Sequence, residues 1–258
     1  GEEGAAASPP AQAFKALCDI LQGQAQDKDR LLPALKLLVN HVFENSSEAS
    51  RWLQRRIGDR SCASWVFEAC ATLGETERLP KLSLAQREAG VRLITALADK
   101  SEAFAKAFLE EEAARQFASL AAFPALMKNV QEDVERDNAE QTPTADEVEK
   151  FKLSSIALFH RIIERGSAKL EGAPDFAWVD ADAAAGVAAE KPKEDEAPRL
   201  PQLVELCAPD GVALEYFLTC MEDARDQVRS GGLDGLVHWS TGLPPPPVLR
   251  PHEPFIPE

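Results

Sequence analysis

Four arginines are clustered in one short segment of this sequence. Arg51, Arg55, Arg56 and Arg60 all lie within one short segment. On a helix, Arg51 and Arg55 are one turn apart. Arg56 and Arg60 are spaced in the same way if that helix persists through Gly58. Guanidinium groups bind carboxylates and phosphates through paired N–H donors, so the cluster is a candidate docking site for an acidic partner or a phosphate. The alternative is an ordinary solvated helix face.

A proline run near the end of the chain is a second candidate recognition element. The run, Pro244, Pro245, Pro246 and Pro247, contains a Pro-x-x-Pro core. It predicts a polyproline II segment, which loses little entropy when it binds an aromatic groove. Apolar residues follow it, among them Phe255. These apolar residues indicate that the tail packs either on its own domain or on a partner.

The remaining polar groups do not form a recognisable metal or catalytic site. The histidines lie outside metal-ligand spacing of each other and of cysteine; they are His41, His160, His238 and His252. His41 and His160 are predicted to be satisfied core or near-core residues. Asp180 and Asp182 are interpreted as part of a solvated charge run. We therefore expect no metal site.

Sequence motifs for nucleophilic or nucleotide chemistry are missing as well. No Gly-x-Ser-x-Gly, phosphate loop or dinucleotide fingerprint occurs. Ser230-Gly231-Gly232 could cradle an anion at the start of a helix. A tight turn between two helices is the favoured interpretation of these residues. We predict no catalytic residue and no cofactor, and the chain is not expected to be an enzyme.

The net charge predicts which kind of partner the protein can bind, and the cysteine content predicts the redox state of its compartment. The 258 residues carry a net charge of −15. Phosphate backbones repel such a surface, so nucleic acid is not an expected partner, whereas a basic protein segment is. The five cysteines are odd in number and include no Cys-x-x-Cys pair, which favours reduced thiols in an intracellular compartment, either cytoplasm or an organelle matrix. No apolar run is long enough for a transmembrane segment.

Apolar residues at helical spacing predict a series of helices. The predicted helices cover residues 12–21, 31–43, 48–57, 62–73, 84–98, a stretch from Ser101 through Leu120, a short helix opened by Pro124, 148–165 and most of 200–239. Capping signals are predicted at Asn45, Ser83 and Thr144. The predicted domains are a flexible N-terminal arm (1–10), a helical-repeat domain (11–170), an acidic Ala/Pro-rich insertion (171–199), a C-terminal repeat (200–242) and an extended proline-rich tail (243–258).

The segment from Phe217 to Trp239 carries a resemblance to a known superfamily. A helix is predicted to end at Ser230, a double glycine follows, and Leu233, Leu236 and Val237 begin the next apolar face. Looser copies occupy residues 35–49, 91–103 and 156–168. The pattern resembles armadillo and HEAT repeats.

That resemblance implies an all-α, irregular armadillo-like helical-repeat solenoid with an acidic insertion and a proline-rich C-terminal tail. An irregular helical bundle is the alternative fold. The residues expected to stack between helices are Leu38, Leu93, Phe159, Leu218 and Leu236.

A solenoid of this kind implies a non-catalytic scaffold or adaptor, a structural subunit of a larger complex whose partners offer basic segments. The alternative function is an armadillo-type regulator of a GTPase or chaperone, similar to an exchange factor. The candidate partner-binding residues are Arg51, Arg55, Arg56, Arg60, Pro244, Pro245, Pro246, Pro247 and Phe255.

Overall fold

The computed structural model describes residues 8–23, 28–71, 81–137, 142–167 and 205–241. Ten α-helices and one two-stranded hairpin account for most of these residues. The helices are α1 (Pro9–Leu21), α2 (Leu31–Glu44), α3 (Ser46–Leu53), α4 (Cys62–Ala71), α5 (Leu84–Lys100), α6 (Glu102–Ala114), α7 (Ala118–Asp137), α8 (Ala145–Ser167), α9 (Val212–Met221) and α10 (Asp226–Thr241). A 3-10 turn, Lys28–Arg30, precedes α2, and strands β1 (Arg56–Ile57) and β2 (Arg60–Ser61) separate α3 from α4. The all-α prediction is confirmed.

Local polar residues start several of these helices, as their sequence pattern predicts. Ser83 and Gln86 form a full capping box: the Gln86 N–H donates to the Ser83 hydroxyl at 3.3 Å, and the Ser83 N–H donates to the Gln86 side chain at 2.9 Å. Thr144 and Glu147 make the same reciprocal pair at the start of α8. The Asn45 side chain accepts the Glu48 N–H in the first turn of α3. Because caps of this kind use neighbours in sequence, they can be predicted without the fold.

Helix α5 occupies the centre of the packing. It contacts α2, α3, α4, α6 and α8, and its residues are buried on nearly every side. No more than 1% of the surface is exposed at Leu38 of α2, Leu93 of α5 and Phe159 of α8. Such burial is expected for residues that stack between helices. A helix that is buried on nearly every side belongs inside an assembly of other helices.

A row of aromatic side chains connects four of the helices. Phe67 of α4 stacks on Phe123 of α7 with ring centroids 4.7 Å apart. Phe123 contacts Phe159 of α8 at 6.1 Å. Phe159 in turn lies 3.9 Å from Tyr216 of α9, with the two planes 3° apart. The row therefore ties the helix pair α9–α10 to the rest of the core.

The double glycine lies in the middle of one helix, so the predicted turn at Ser230-Gly231-Gly232 is wrong, and so is an anion cradle there. Helix α10 runs from Asp226 to Thr241 without a break. A Cβ on Gly232 would lie 2.8 Å from the Cβ of Cys220, and one on Gly235 would lie 2.3 Å from the Phe217 ring. These glycines allow α10 to approach α9 closely, which offsets their poor helix propensity.

Two further helix boundaries differ from the prediction. Pro124 lies inside α7 and does not open a helix. Leu120, Phe123 and Met127 on either side of it are buried, so packing holds the whole segment in one helix despite the cost of an interior proline. The acidic stretch after Val130, whose composition is typical of a loop or a frayed helix end, is helical as far as Asp137.

The last two helices, α9 and α10, also differ in part from the prediction. Leu218 was expected between helices, but 48% of its surface is exposed, whereas Leu236 is partly buried against the core.

Helix α1 begins at Pro9, within the predicted arm of residues 1–10, because proline suits the first turn. The acidic insertion 171–199 and the tail 243–258 lie outside the described residues, and the domain division stays a prediction. Among the helices described, none has the length and apolar character needed to cross a membrane.

Candidate functional site: a hairpin cleft

A short β-hairpin follows α3 and forms one wall of the candidate site. Arg56 pairs with Ser61, and Ile57 pairs with Arg60, in antiparallel register. Gly58 has a φ of +69°, the conformation that a two-residue hairpin turn with glycine in its first position requires. The indole N–H of Trp65 donates to the Ile57 carbonyl at 2.7 Å. This bond anchors the hairpin to α4.

The cleft between this hairpin and helix α6 has a volume of about 530 Å³, and we call it the hairpin cleft. Its apolar lining includes Phe104 and Phe108 together with Ala63, Ala107 and Ala114. Its polar lining consists of Gln54, Arg56, Asp59, Ser61, Glu110, Glu111 and Arg115. Phe104 and Phe108 are themselves almost fully buried, so the cleft combines a mainly alanine apolar surface with several carboxylates.

Glu111 joins the two walls of the cleft. Its carboxylate accepts a hydrogen bond from the Ser61 backbone N–H at 2.7 Å and another from the Ser61 hydroxyl. The same hydroxyl accepts the Ser64 N–H at 3.1 Å, at the start of α4. Because hydrogen bonds to an ionised group are stronger than neutral ones, Glu111 fixes the position of the hairpin relative to α6.

A buried carboxyl, Glu112, lies beside the cleft and is fully inaccessible. One of its oxygens accepts from the Ser64 hydroxyl at 2.8 Å and from the Arg115 guanidinium at 3.2 Å. Its other oxygen has no hydrogen-bond partner among the described residues. Burial raises the pKa of Glu112, although the Ser64 hydrogen bond and the Arg115 charge act in the opposite direction. The site therefore holds a carboxyl that gains a proton more easily than an exposed glutamate.

Two arginines surround a second carboxylate in the same cluster. Arg115 donates to Glu68 at 2.8 Å, and Arg60 also pairs with Glu68. The Arg60 guanidinium lies over the Trp65 ring, 3.7 Å from its centroid. Burial, followed by the nearby Arg115 charge, lowers the pKa of Arg60. The two arginines are thus committed to internal partners, which leaves them poorly placed to bind an external anion.

The helix end that carries Glu111, Glu112 and Arg115 is closed by a strained turn. Gln116 and Phe117 have φ values of 59° and 53°, in the left-handed region that favours glycine. The Gln116 N–H donates to the Ala113 carbonyl, and the Phe117 N–H donates to the Glu112 carbonyl at 2.7 Å. This is the Schellman arrangement without its usual glycine. Strain of this kind tends to occur at functional sites.

The structure separates the four predicted arginines. Helix α3 ends at Leu53, so the helix does not persist through Gly58 and the four side chains do not share a helix face. Arg51 and Arg55 are exposed, Arg56 lines the hairpin cleft, and Arg60 belongs to the internal cluster. After the end of α3 the chain enters the hairpin, whose turn contains Gly58 with its positive φ. Pro244, Pro245, Pro246, Pro247 and Phe255 lie outside the described residues.

The carboxylates of the cleft were not predicted from the sequence, since their partners are distant along the chain. One local signal could have indicated Glu112. It follows Phe104 and Phe108 at intervals of four residues, so it occupies an apolar position of α6. A carboxyl in the middle of an apolar stripe must find buried partners, because an unpaired buried charge is costly.

The two histidines whose side chains are described, His41 and His160, are buried, as predicted. His41 is 8% exposed, stacks on Trp52, and its ring nitrogen lies 3.2 Å from the Glu48 carboxylate. His160 is 7% exposed and contacts Phe217. Within the described ranges, no three His, Cys, Asp or Glu side chains are grouped closely enough to hold a metal ion. Asp180 and Asp182 lie outside those ranges.

Comparison of the chain with protein-family models, with curated proteins and with solved structures finds no match.

Proposed function

We propose that this protein is a non-catalytic interaction scaffold, an irregular armadillo- or HEAT-like stack of helices, and that its hairpin cleft receives a basic, partly apolar segment of a partner protein. The observation that supports this proposal is the composition of the cleft, which combines the exposed alanines Ala107 and Ala114 with exposed carboxylates. The alanines suit an apolar anchor residue, and the carboxylates suit neighbouring lysine or arginine side chains.

The charges that remain for a partner at the cleft are mainly acidic. Glu110 and Asp59 are exposed on its two sides. The Arg56 side chain donates to the Asp59 carbonyl within the hairpin, and Arg115 is paired with Glu68 and Glu112. The net charge of −15 adds a long-range field of the same sign. A basic segment would therefore be attracted to the cleft before it makes contact.

The walls of the cleft are fixed by internal bonds, which favours binding without a large ordering cost. The Trp65 bond holds the hairpin to α4, and the Glu111 bonds hold it to α6. A site whose walls are already positioned loses less side-chain and backbone entropy when a segment binds. The arrangement resembles a preformed receptor more closely than a surface that must reorganise.

Selection from a randomised library of short displayed peptides tests the proposal. We expect the purified protein to enrich peptides that combine lysine or arginine with an aromatic or aliphatic residue. The Glu110→Lys variant should lose the basic preference, and Ala107→Trp, which places a large ring in the cleft, should abolish enrichment.

Glu222→Lys is the matched control, since it makes the same charge change at an exposed position outside the cleft. It should select the same peptides as the original protein. Enrichment of acidic peptides, or equal loss with Glu110→Lys and Glu222→Lys, would refute a basic ligand at this cleft.

A further inference from the structure

Two thiols from different helices meet near the N-terminal end of the fold. Cys18 lies in α1, and Cys62 is the first residue of α4. The two side chains are within hydrogen-bonding reach of each other, and helices α1 and α4 are in contact. Both cysteines are free thiols. Their contact was not predicted, because the sequence contains no Cys-x-x-Cys motif.

The two thiols differ in access to solvent. Cys62 is fully buried, whereas Cys18 is partly exposed. A small oxidant in solution can therefore reach Cys18, whereas Cys62 is shielded from solvent. This is the arrangement of an attacking thiol beside a second thiol that resolves its oxidised form.

The surroundings favour the thiolate at Cys18. The hydrogen bond from Cys62 lowers the pKa of the Cys18 thiol; burial and the Asp19 charge raise it, and the Arg55 charge lowers it again. The net shift is downward, so Cys18 is ionised more readily than an ordinary cysteine. The same hydrogen bond, together with burial, raises the pKa of Cys62. Because the thiolate is the nucleophile, Cys18 is the residue that reacts first.

We propose that Cys18 and Cys62 form a redox-modification site that a hydroperoxide converts into a reversible disulfide between α1 and α4. With hydrogen peroxide, the Cys18 thiolate attacks one oxygen, the O–O bond breaks, and the leaving hydroxide takes a proton to become water. Cys18 is then a sulfenic acid. The Cys62 sulfur attacks the Cys18 sulfur, its proton combines with the departing hydroxide, and a second water is released.

Over the two steps, the two thiols lose two electrons and two protons, and one hydrogen peroxide is reduced to two waters. The product joins the N-terminal helix to α4 covalently. Helix α1 otherwise packs mainly on α2. Oxidation would therefore remove the freedom of α1 to separate from the body of the fold.

The other cysteines of the chain act as internal controls. Burial raises the pKa values of Cys70, Cys207 and Cys220 to about 12. These thiols are almost entirely protonated at neutral pH and should react slowly with peroxide.

The test treats the purified full chain with hydrogen peroxide at neutral pH, blocks the remaining thiols, and maps disulfides in an unreduced digest by mass spectrometry. We expect a Cys18–Cys62 linked peptide that disappears after reduction with dithiothreitol. In Cys62→Ser or Cys62→Ala, a sulfenic acid should accumulate at Cys18 and react with dimedone. Circular dichroism establishes that each variant is folded.

Two arginine variants test the electrostatic part of the inference. Arg55→Gln should slow formation of the linked peptide severalfold, because it removes a charge that favours the Cys18 thiolate. Arg51→Gln removes another exposed charge from the same segment and should leave the rate unchanged. Oxidation of Cys207 before Cys18, or dimedone labelling of Cys18 in the original protein without a linked peptide, would overturn the proposal.

Discussion

Two carboxyl groups with little or no access to water, Glu112 and Asp223, have shifted pKa values in this molecule. Glu112 has a raised pKa because burial disfavours its ionised form. A carboxyl with a higher pKa in the folded than in the unfolded state binds its proton more tightly when folded. Its contribution to stability is therefore present at low pH, and is lost as the pH rises from about its ordinary value of 4.5 through the folded pKa.

The Glu112→Gln variant should lack this dependence on pH. Glutamine keeps an acceptor for the Ser64 hydroxyl but cannot ionise. We expect the stability of the original protein to fall relative to that of Glu112→Gln as the pH rises from about 4 to 7. Urea unfolding at a series of pH values measures the difference. Parallel curves for the two proteins would contradict the prediction.

The ion pair between Lys152 of α8 and Asp223, before α10, is a second buried charge site. The two side chains are 7% and 6% exposed. Burial raises the pKa of Asp223, but the hydrogen bonds from Lys152 and Arg225 outweigh that effect and lower it overall. The stability that Asp223 contributes is therefore present above its ordinary pKa and lost as the pH falls through the folded value.

Lys152→Met should destabilise the protein by about 3–5 kcal/mol, since it leaves the Asp223 carboxylate buried without its main partner. The double variant Lys152→Met/Asp223→Leu should recover most of this loss. Lys128→Met is the control: Lys128 and Glu222 are 68% and 71% exposed, so removal of this pair should cost no more than about 1 kcal/mol. Denaturant unfolding of all four proteins provides the comparison, and equal losses for the buried and exposed lysines would contradict this interpretation.

At the scale of the helices, close packing decides where elements begin and end. Helix α10 continues through Gly231 and Gly232 because the side of the helix that carries them lies against Ile156 and Cys220. The capping boxes at Ser83 and Thr144 could be predicted, since each uses residues three positions apart. The role of the double glycine could not, because it depends on helices that are distant in sequence.

Gly235→Ala tests this interpretation of α10. Alanine usually stabilises a helix interior relative to glycine by about 1 kcal/mol. Here the new Cβ would lie 2.3 Å from the Phe217 ring, and we expect a net destabilisation of about 1–3 kcal/mol from overpacking. Thermal unfolding measures the change. Ser230→Ala, at an exposed position of the same helix, should be neutral or slightly stabilising; a stabilising Gly235→Ala would show that α10 has room to move away from α9.

The candidate site shows the same limit of sequence reasoning. Arg60 was identified from its basic neighbours, but its partner Glu68 and the cleft residue Glu111 were not. The basic segment was predicted as one helix face, whereas the turn at Gly58 divides it between a helix, a hairpin edge and a buried cluster. Spacing predicts which side chains share a helix, but it does not predict which helices face each other.

At the scale of the whole molecule, the described residues form one connected hydrophobic core around α5. The hairpin cleft and the helix pair α9–α10 differ in the chemistry of their surfaces. The hairpin cleft lies toward the beginning of the chain and is rich in charge. The pair α9–α10 has exposed apolar residues on both helices, with Leu218 at 48% and Leu233 at 50%.

The aromatic row also supplies the molecule with an optical reporter. Tyr216 is the single tyrosine of the chain, and it lies fully buried against Phe159 at the α8–α9 contact. Burial raises the pKa of its phenol well above the ordinary value of 10.0. The ultraviolet absorbance of phenolate should therefore stay absent in alkali while the Tyr216 ring remains buried. Its appearance during an alkaline titration would record the exposure of this ring, without any label attached to the protein.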